Sequence, residues 1–335
     1  MRFSTLIIAL LLLFSSCKKD SADVAPDGRR FSEIILKDYF INSIAFDKNG
    51  IAWLGTSKHG LIRYDGKSAS IFNSSNSILT DAAIMALAVD KGNNIWIGSD
   101  DLIKYDGSKF TRYEARQFGF PKNAVRSVAV DADDNIWFSC SSYQSGGLVK
   151  YDGSAFKTFT PANSKLPGNM VQSIVIDQSN HAWVAINDGI EEVSLARINA
   201  DNSVSVAGSK ELGFKPYYFG NIVVNNSNEL LGSIDYSLSS LMIAGRPQIF
   251  KFNGSKARIL NLPDEENVQY YTHRIFSAKN GNLWVSFFGT DKECGIFDGK
   301  NWTFPKLGTS GIFAFAESPN GEMWLGTGEG VYILK

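Results

Sequence analysis

The chain has 335 residues, 44% hydrophobic and 20% charged, enough apolar material to bury a large core. Its formal net charge is −1 and no basic run stands out, which excludes a nucleic-acid surface. The 30 glycines and the 13% aromatic content favour many short strands and tight turns over helices.

The first element is a secretory signal. Met1-Arg2 is a short positive start, and the apolar run Leu6 to Phe14 is too short to span a bilayer. The following "FSSC" ends at Cys17 and resembles the lipobox of bacterial lipoproteins, with Phe14 where Leu is usual and Ser16 where Gly or Ala is commoner. The resemblance implies a diacylglyceryl group on the Cys17 thiol and cleavage before it, so residues 1–16 are expected to be removed. An ordinary signal peptide with a chance cysteine is the alternative. Lys18 to Pro26 has Val24 as its one large apolar residue and reads as a flexible tether. Lys19-Asp20 is similar to the Lys-plus-acid signal that sends some Bacteroidetes lipoproteins to the cell surface. The expected address is the outer membrane, facing the periplasm or the exterior, and the expected membrane partner is reached through Cys17.

From residue 27 onward the chain repeats itself. "INSIAFDKNGIAWLGTSKHGLIRYDGKSASIF" (from Ile41) aligns with "IMALAVDKGNNIWIGSDDLIKYDGSKFTRY" (from Ile84) and with a third unit from Val125. Each unit is an apolar strand, an Asp-x-x-x-Asn-like turn, a Trp strand, a variable loop, a strand ending near Tyr-Asp-Gly, and a last strand. Diverged copies start near Val171, Phe219, Tyr271 and Gly311; the copy near Leu230 has lost its Trp. Seven units of four strands predict an all-β fold, a seven-bladed β-propeller over residues 27–335 as a single domain. "SVAV" and "IWIG" are apolar on both faces, as a sheet packed on both sides requires. Asp-Gly between the third and fourth strands predicts a two-residue type I′ hairpin. The last unit stops after three strands, and "DGRRFSEI" (27–34) looks like its missing turn and fourth strand. Residues 29–36 are therefore expected beside 331–335, closing the ring. Cys140 and Cys294 fall in blades 3 and 6, too far apart to be bonded to each other.

The units "DKGNNIWIGSDDLIKYDG" and "PNGEMWLGTGEGVYIL" resemble the two-component regulator propeller repeat. That family forms sensor propellers outside the cytoplasm. Residues 31–335 show no second hydrophobic segment and no kinase region, so the resemblance implies a fold and a recognition role.

Strand direction places the short first-to-second and third-to-fourth turns on one face of the disc. The variable second-to-third loops and the blade-to-blade connections share the other, which makes it the candidate binding face. Variation concentrates at blade 5. Its own long loop holds Tyr236 and Arg246, the connection into it holds Tyr217 and Tyr218, and the connection out holds Tyr270, Tyr271 and His273. Such residues can stack on and hydrogen-bond a glycan, a peptide or a protein; packing between blades is the other use for them.

Evidence for chemistry is thin. "DADDN" (131–135) has acids at calcium-like spacing but sits where sibling units have plain turns. No zinc-ligand spacing, phosphate loop or nucleophile elbow is present, so neither metal nor cofactor is expected. The Trp-strand repeat also resembles streptogramin lyases, which implies an acid and a His at the propeller mouth; His59 and Glu329 lie in variable-face loops of adjacent blades. A binding module is the leading expectation. A propeller lyase or hydrolase and a structural part of an outer-membrane complex are the alternatives.

Overall fold

A computed structural model describes residues 31–120, 124–140, 145–187, 193–216, 218–235, 248–260, 262, 271–288, 293–309 and 311–335. Seven four-stranded antiparallel sheets form the blades of a β-propeller. The innermost strands are Ile41–Phe46, Ala86–Val89, Val128–Val130, Val171–Ile176, Tyr218–Val224, Tyr271–Ser277 and Ile312–Glu317. In six blades the four strands follow one another in sequence. In the seventh the outermost strand is Phe31–Ile35, paired antiparallel with Gly330–Leu334 through Phe31↔Leu334, Ile34↔Tyr332 and Ile35↔Val331. The N-terminal strand thus closes the ring as the sequence predicts, and the last blade keeps no bare edge beside Gly330–Leu334.

The Trp-bearing second strands of blades 1 to 4 and 7 are buried along their length, as in Ala52–Thr56, Ile95–Gly98 and Ile136–Cys140. Apolar clusters run across blade boundaries. One joins Trp53 and Leu61 of blade 1 to Ile95, Ile97 and Tyr105 of blade 2. This is why the strands read as apolar on both faces. The glycine two positions after the Trp in blades 1, 2 and 7 has a steric reason: a Cβ on Gly98 would come within 2.7 Å of the Val125 carbonyl in the next blade.

In blades 1 to 4 the turn after the innermost strand holds the Trp in place. Asp131 Oδ1 accepts the Asp133 and Asn135 backbone N–H groups, and its Oδ2 accepts the Trp137 indole N–H at 2.8 Å. Trp53, Trp96 and Trp183 make the same bond to Asp47, Asp90 and Asp177. The same turns also tie blade to blade. Lys48 N–H donates to Asn93 Oδ1, Lys91 N–H to Asp134 Oδ1, Ala132 N–H to Asn180 Oδ1 and Gln178 N–H to Asn228 Oδ1, each at 2.7–2.8 Å. The acids of "DADDN" are therefore occupied by turn and inter-blade bonds.

The Asp-Gly hairpins differ from the type I′ expectation. Asp65 N–H donates to Ser68 O, so the central pair is Gly66-Lys67, and only Gly66 has positive φ, at 90°. The aspartate precedes the turn and accepts the Lys67 and Ser68 N–H groups. Such bonds to backbone hold the Asp106 and Asp152 carboxyls down at about 2.

Candidate functional site

The free edge of each innermost strand lines the central channel. Near the variable-face end of five of these strands the ladder slips, placing an extra residue at Asn42, Gln172, Gly220-Asn221, His273 or Phe313. The corresponding positions in blades 2 and 3 are Met85 and Arg126. The side chains on either side of Asn42, Gln172 and Phe313 are buried, whereas these three are only half-buried. On a strand with neighbours on both faces, that remaining exposure opens to the channel. Asn42, Met85, Arg126, Gln172, Gly220, His273 and Phe313 thus form a ring at the channel mouth, with Arg126 exposed.

One arc of the mouth is aromatic. Phe313 packs on Phe40 at 4.3 Å between centroids, on Phe288 at 5.3 Å and on His273 at 5.4 Å; His273 and Phe288 are 4.7 Å apart. All four rings are half-buried. Burial, helped by the Arg274 charge, lowers the His273 imidazole to about 4, and its Nδ1 faces Ile312 O at 3.4 Å. The ring is therefore neutral at pH 7. Arg274 Nε donates to Phe313 O at 3.1 Å; burial lowers its pKa, opposed by the nearby Tyr218 phenol. Arg126 stands in blade 3, across the ring from this arc. An apolar arc facing a cation, with the Asn42 and Gln172 amides between, suits a ligand with a flat apolar face and polar edges.

The blade 5 sector is placed in part. Tyr218 opens the innermost strand of blade 5 and is 38% exposed. Tyr271 and His273 lie in the innermost strand of blade 6, so the predicted connection residues Tyr218, Tyr271 and His273 belong to strands. The connections end sooner than the Tyr-rich sequence suggests because Tyr is itself a good strand former. Tyr217, Tyr236, Arg246 and Tyr270 lie outside the described residues. His59 is exposed and packs edge-on against Tyr39 at 5.1 Å, while the Glu329 backbone carbonyl accepts the Asp38 N–H. Sequence reasoning missed Phe40, Phe288 and Phe313. The available signal for Phe313 was the bulged or corresponding position of each unit, which runs Asn, Met, Arg, Gln, Gly, His, Phe; Phe40 and Phe288 stand at no such repeated position.

Residues 35–58 match the family model of the two component regulator propeller. No curated protein matches the sequence. Among solved structures, the extracellular domain of the hybrid two component system BT4673 from B. thetaiotaomicron is similar over 91% of this chain, with 18% identity and a TM-score of 0.68. The chain spans only 39% of that domain's length. A catalytically inactive His-to-Ala variant of virginiamycin B lyase from Staphylococcus aureus, solved with quinupristin, is similar over 92% of this chain and 98% of its own, with 14% identity and a TM-score of 0.69. PorZ, a surface component of the type-IX secretion system of Porphyromonas gingivalis, is similar over 86% of this chain and 45% of its own, with 13% identity and a TM-score of 0.59. At these identities the likeness is one of fold. The chain is a seven-bladed β-propeller whose residues 35–58 match the two component regulator propeller model.

Proposed function

We propose that the protein is an exported, lipid-anchored recognition module that binds a peptide or glycan, free or on a partner protein, over the channel mouth of its variable face. The observation that carries this reading is the half-buried arc of Phe40, His273, Phe288 and Phe313 facing the exposed Arg126 across the mouth. Tyr218 stands beside the arc; Tyr217 and Tyr270 directly precede the innermost strands of blades 5 and 6 in sequence, and Tyr236 and Arg246 fall between the second and third strands of blade 5. The exported setting rests on the signal-like start and Cys17. It is supported by the extracellular or surface settings of BT4673 and PorZ.

Recognition is favoured over acid–base catalysis because His273, held at about 4, is a weak base. A structural role through an apolar patch is also less favoured. Among the described residues the exposed large hydrophobics, Ile78, Val206 and Tyr218, are scattered over three blades.

The test is a thermal-shift screen of glycans and short peptides, followed by titration of each hit against Phe313→Ala and Arg126→Ala. A hit that raises Tm in the wild type and binds about tenfold more weakly to both variants supports the mouth. Equal binding by the variants removes the site from this face. For the anchor, Cys17→Ser should abolish membrane association; a processed Cys17→Ser protein that stays on the membrane overturns it.

A further inference from the structure

The opposite face carries a small cleft of its own. A cleft of about 130 Å³ lies between blades 4 and 5, beside Trp183. In blades 1 to 3 the marker tryptophan stacks on a fourth-strand ring, Phe72, Tyr113 or Phe159. In blade 4 that position is Ala207, opposite Leu195 in the ladder as Phe159 is opposite Leu148. Trp183 carries Arg197 instead, its guanidinium carbon 5.6 Å from the ring centroid. Arg197 is half-buried, and its Nε is buried without a partner. Among the described residues no carboxylate pairs with it.

The rest of the cleft offers donors. Asn228 Oδ1 is taken by the Gln178 N–H, and Asn253 Oδ1 by the Ser255 and Lys256 N–H groups. Those bonds fix each amide with its oxygen engaged and its NH₂ available. Ser179 adds a hydroxyl. The one acid of the cleft, Asp177, is already satisfied: it accepts the Ser179 and His181 backbone N–H groups and the Trp183 indole, and it faces His181 Nδ1 at 3.1 Å. The apolar wall is Val224, Leu230 and Phe252. The volume equals that of about four waters.

We propose that this cleft binds a carboxylate on a short apolar stem, with Arg197 as its ion-pair partner and the two asparagine amides as flanking donors. A guanidinium held over an indole by a cation–π contact can present its fork to a planar carboxylate. The planar two-pronged match of guanidinium to carboxylate, with Val224 beside it, is the ground for an organic acid over inorganic phosphate. The same chemistry could come from a small free acid or from a glutamate side chain of a partner protein.

The test is a titration of ¹⁵N-labelled protein at fixed pH and ionic strength, following the Arg197 Nε–H and Trp183 Nε1–H signals. The probes are propionate, N-acetyl-glutamate amide and inorganic phosphate. Saturable shifts with propionate, weakened about tenfold or more in Arg197→Gln with Tm unchanged, support the site. Tighter binding of the capped glutamate points to a protein partner, and tighter binding of propionate to a free acid. No saturation with either acid overturns the proposal, as does equal binding by Arg197→Gln or an equal response to phosphate. Arg197→Lys keeps the charge without the fork and should recover only part of the affinity.

Discussion

Ala278 and Trp284 stand where Asp131 and Trp137 stand in blade 3, and the exchange leaves Trp284 Nε1 buried without a hydrogen-bond partner. A buried donor without an acceptor costs about 1–3 kcal/mol. Ala278→Asp should supply the acceptor that four sibling blades use and raise stability by about 1 kcal/mol net, since the carboxylate must also be desolvated. The reverse change, Asp131→Ala, should orphan Trp137 and two turn N–H groups and cost about 2 kcal/mol or more. Denaturant melts of the two variants check this. A destabilised Ala278→Asp protein would mean that blade 6 has repacked around the alanine.

His273 gives the fold a pH dependence with a defined window. Its imidazole is lowered to about 4 in the folded state, below the ordinary value of 6.5. Above pH 6.5 both states are neutral at this position and it contributes nothing to the pH dependence. As pH falls from 6.5 towards 4 the unfolded chain takes up the proton and the folded one does not, so stability is lost. By linkage the loss reaches about 2 kcal/mol at pH 5. His273→Phe should keep the aromatic arc and flatten the stability curve between pH 6.5 and 4. An unchanged slope in that variant would assign the pH dependence elsewhere.

The blade count and the Trp strands were legible in the sequence because each rests on a local rule repeated around the ring, and the closure because the last unit lacks a fourth strand that the N-terminal segment supplies. An Asp six residues before a Trp and a Gly two residues after it have single steric or hydrogen-bonding reasons. The mouth was not legible in the same way. Phe40, Phe288 and Phe313 come from blades 1, 6 and 7, and their meeting depends on closure of the whole ring and on the bulges that turn a strand residue towards the channel. The carboxylate cleft was hidden for another reason. Arg197 pairs with Trp183 in the ladder, as Lys150 does with Trp137. Only the loss of a ring at Ala207 and the engaged amides of Asn228 and Asn253 set it apart. The hairpin type was misread because Asp-Gly signals a positive φ without saying which residue of the turn is central.

Cys140 and Cys294 are both free and fully buried, in blades 3 and 6. Burial drives the Cys140 thiol up to about 12 and the Cys294 thiol higher still. Thiolate is the reactive form, so neither should react with iodoacetamide in the native protein at pH 8. Both should be labelled after unfolding. Mass mapping should find no disulfide between them, and rapid native labelling of either would show that its blade opens locally.

The belt of inter-blade bonds has a gap at the closing seam. In blades 1 to 4 the residue after the turn aspartate donates its N–H to the third residue after the corresponding position in the next blade. Blades 5 and 6 find substitutes: Asn226 Nδ2 donates to Lys279 O, and Lys279 N–H donates to Glu317 Oε2. Between blades 7 and 1 the donor position is Pro319, which has no N–H, and the acceptor position is Gly50, which has no side chain. In place of that bond the seam has the Phe31–Ile35 strand and the packing of Ile41, Leu54 and Ile62 of blade 1 against Trp324, Val331 and Ile333 of blade 7. Deleting residues 31–36 should lower Tm sharply and promote aggregation through the bared Gly330–Leu334 edge. Installing the missing bond should do the opposite. Gly50 has φ 78°, close to the 64° of Asn93, so Gly50→Asn fits its backbone. Combined with Pro319→Lys it should stabilise the ring by about 1 kcal/mol, and the double variant should exceed the sum of the singles. Additive single effects would mean that the two turns do not meet across the seam.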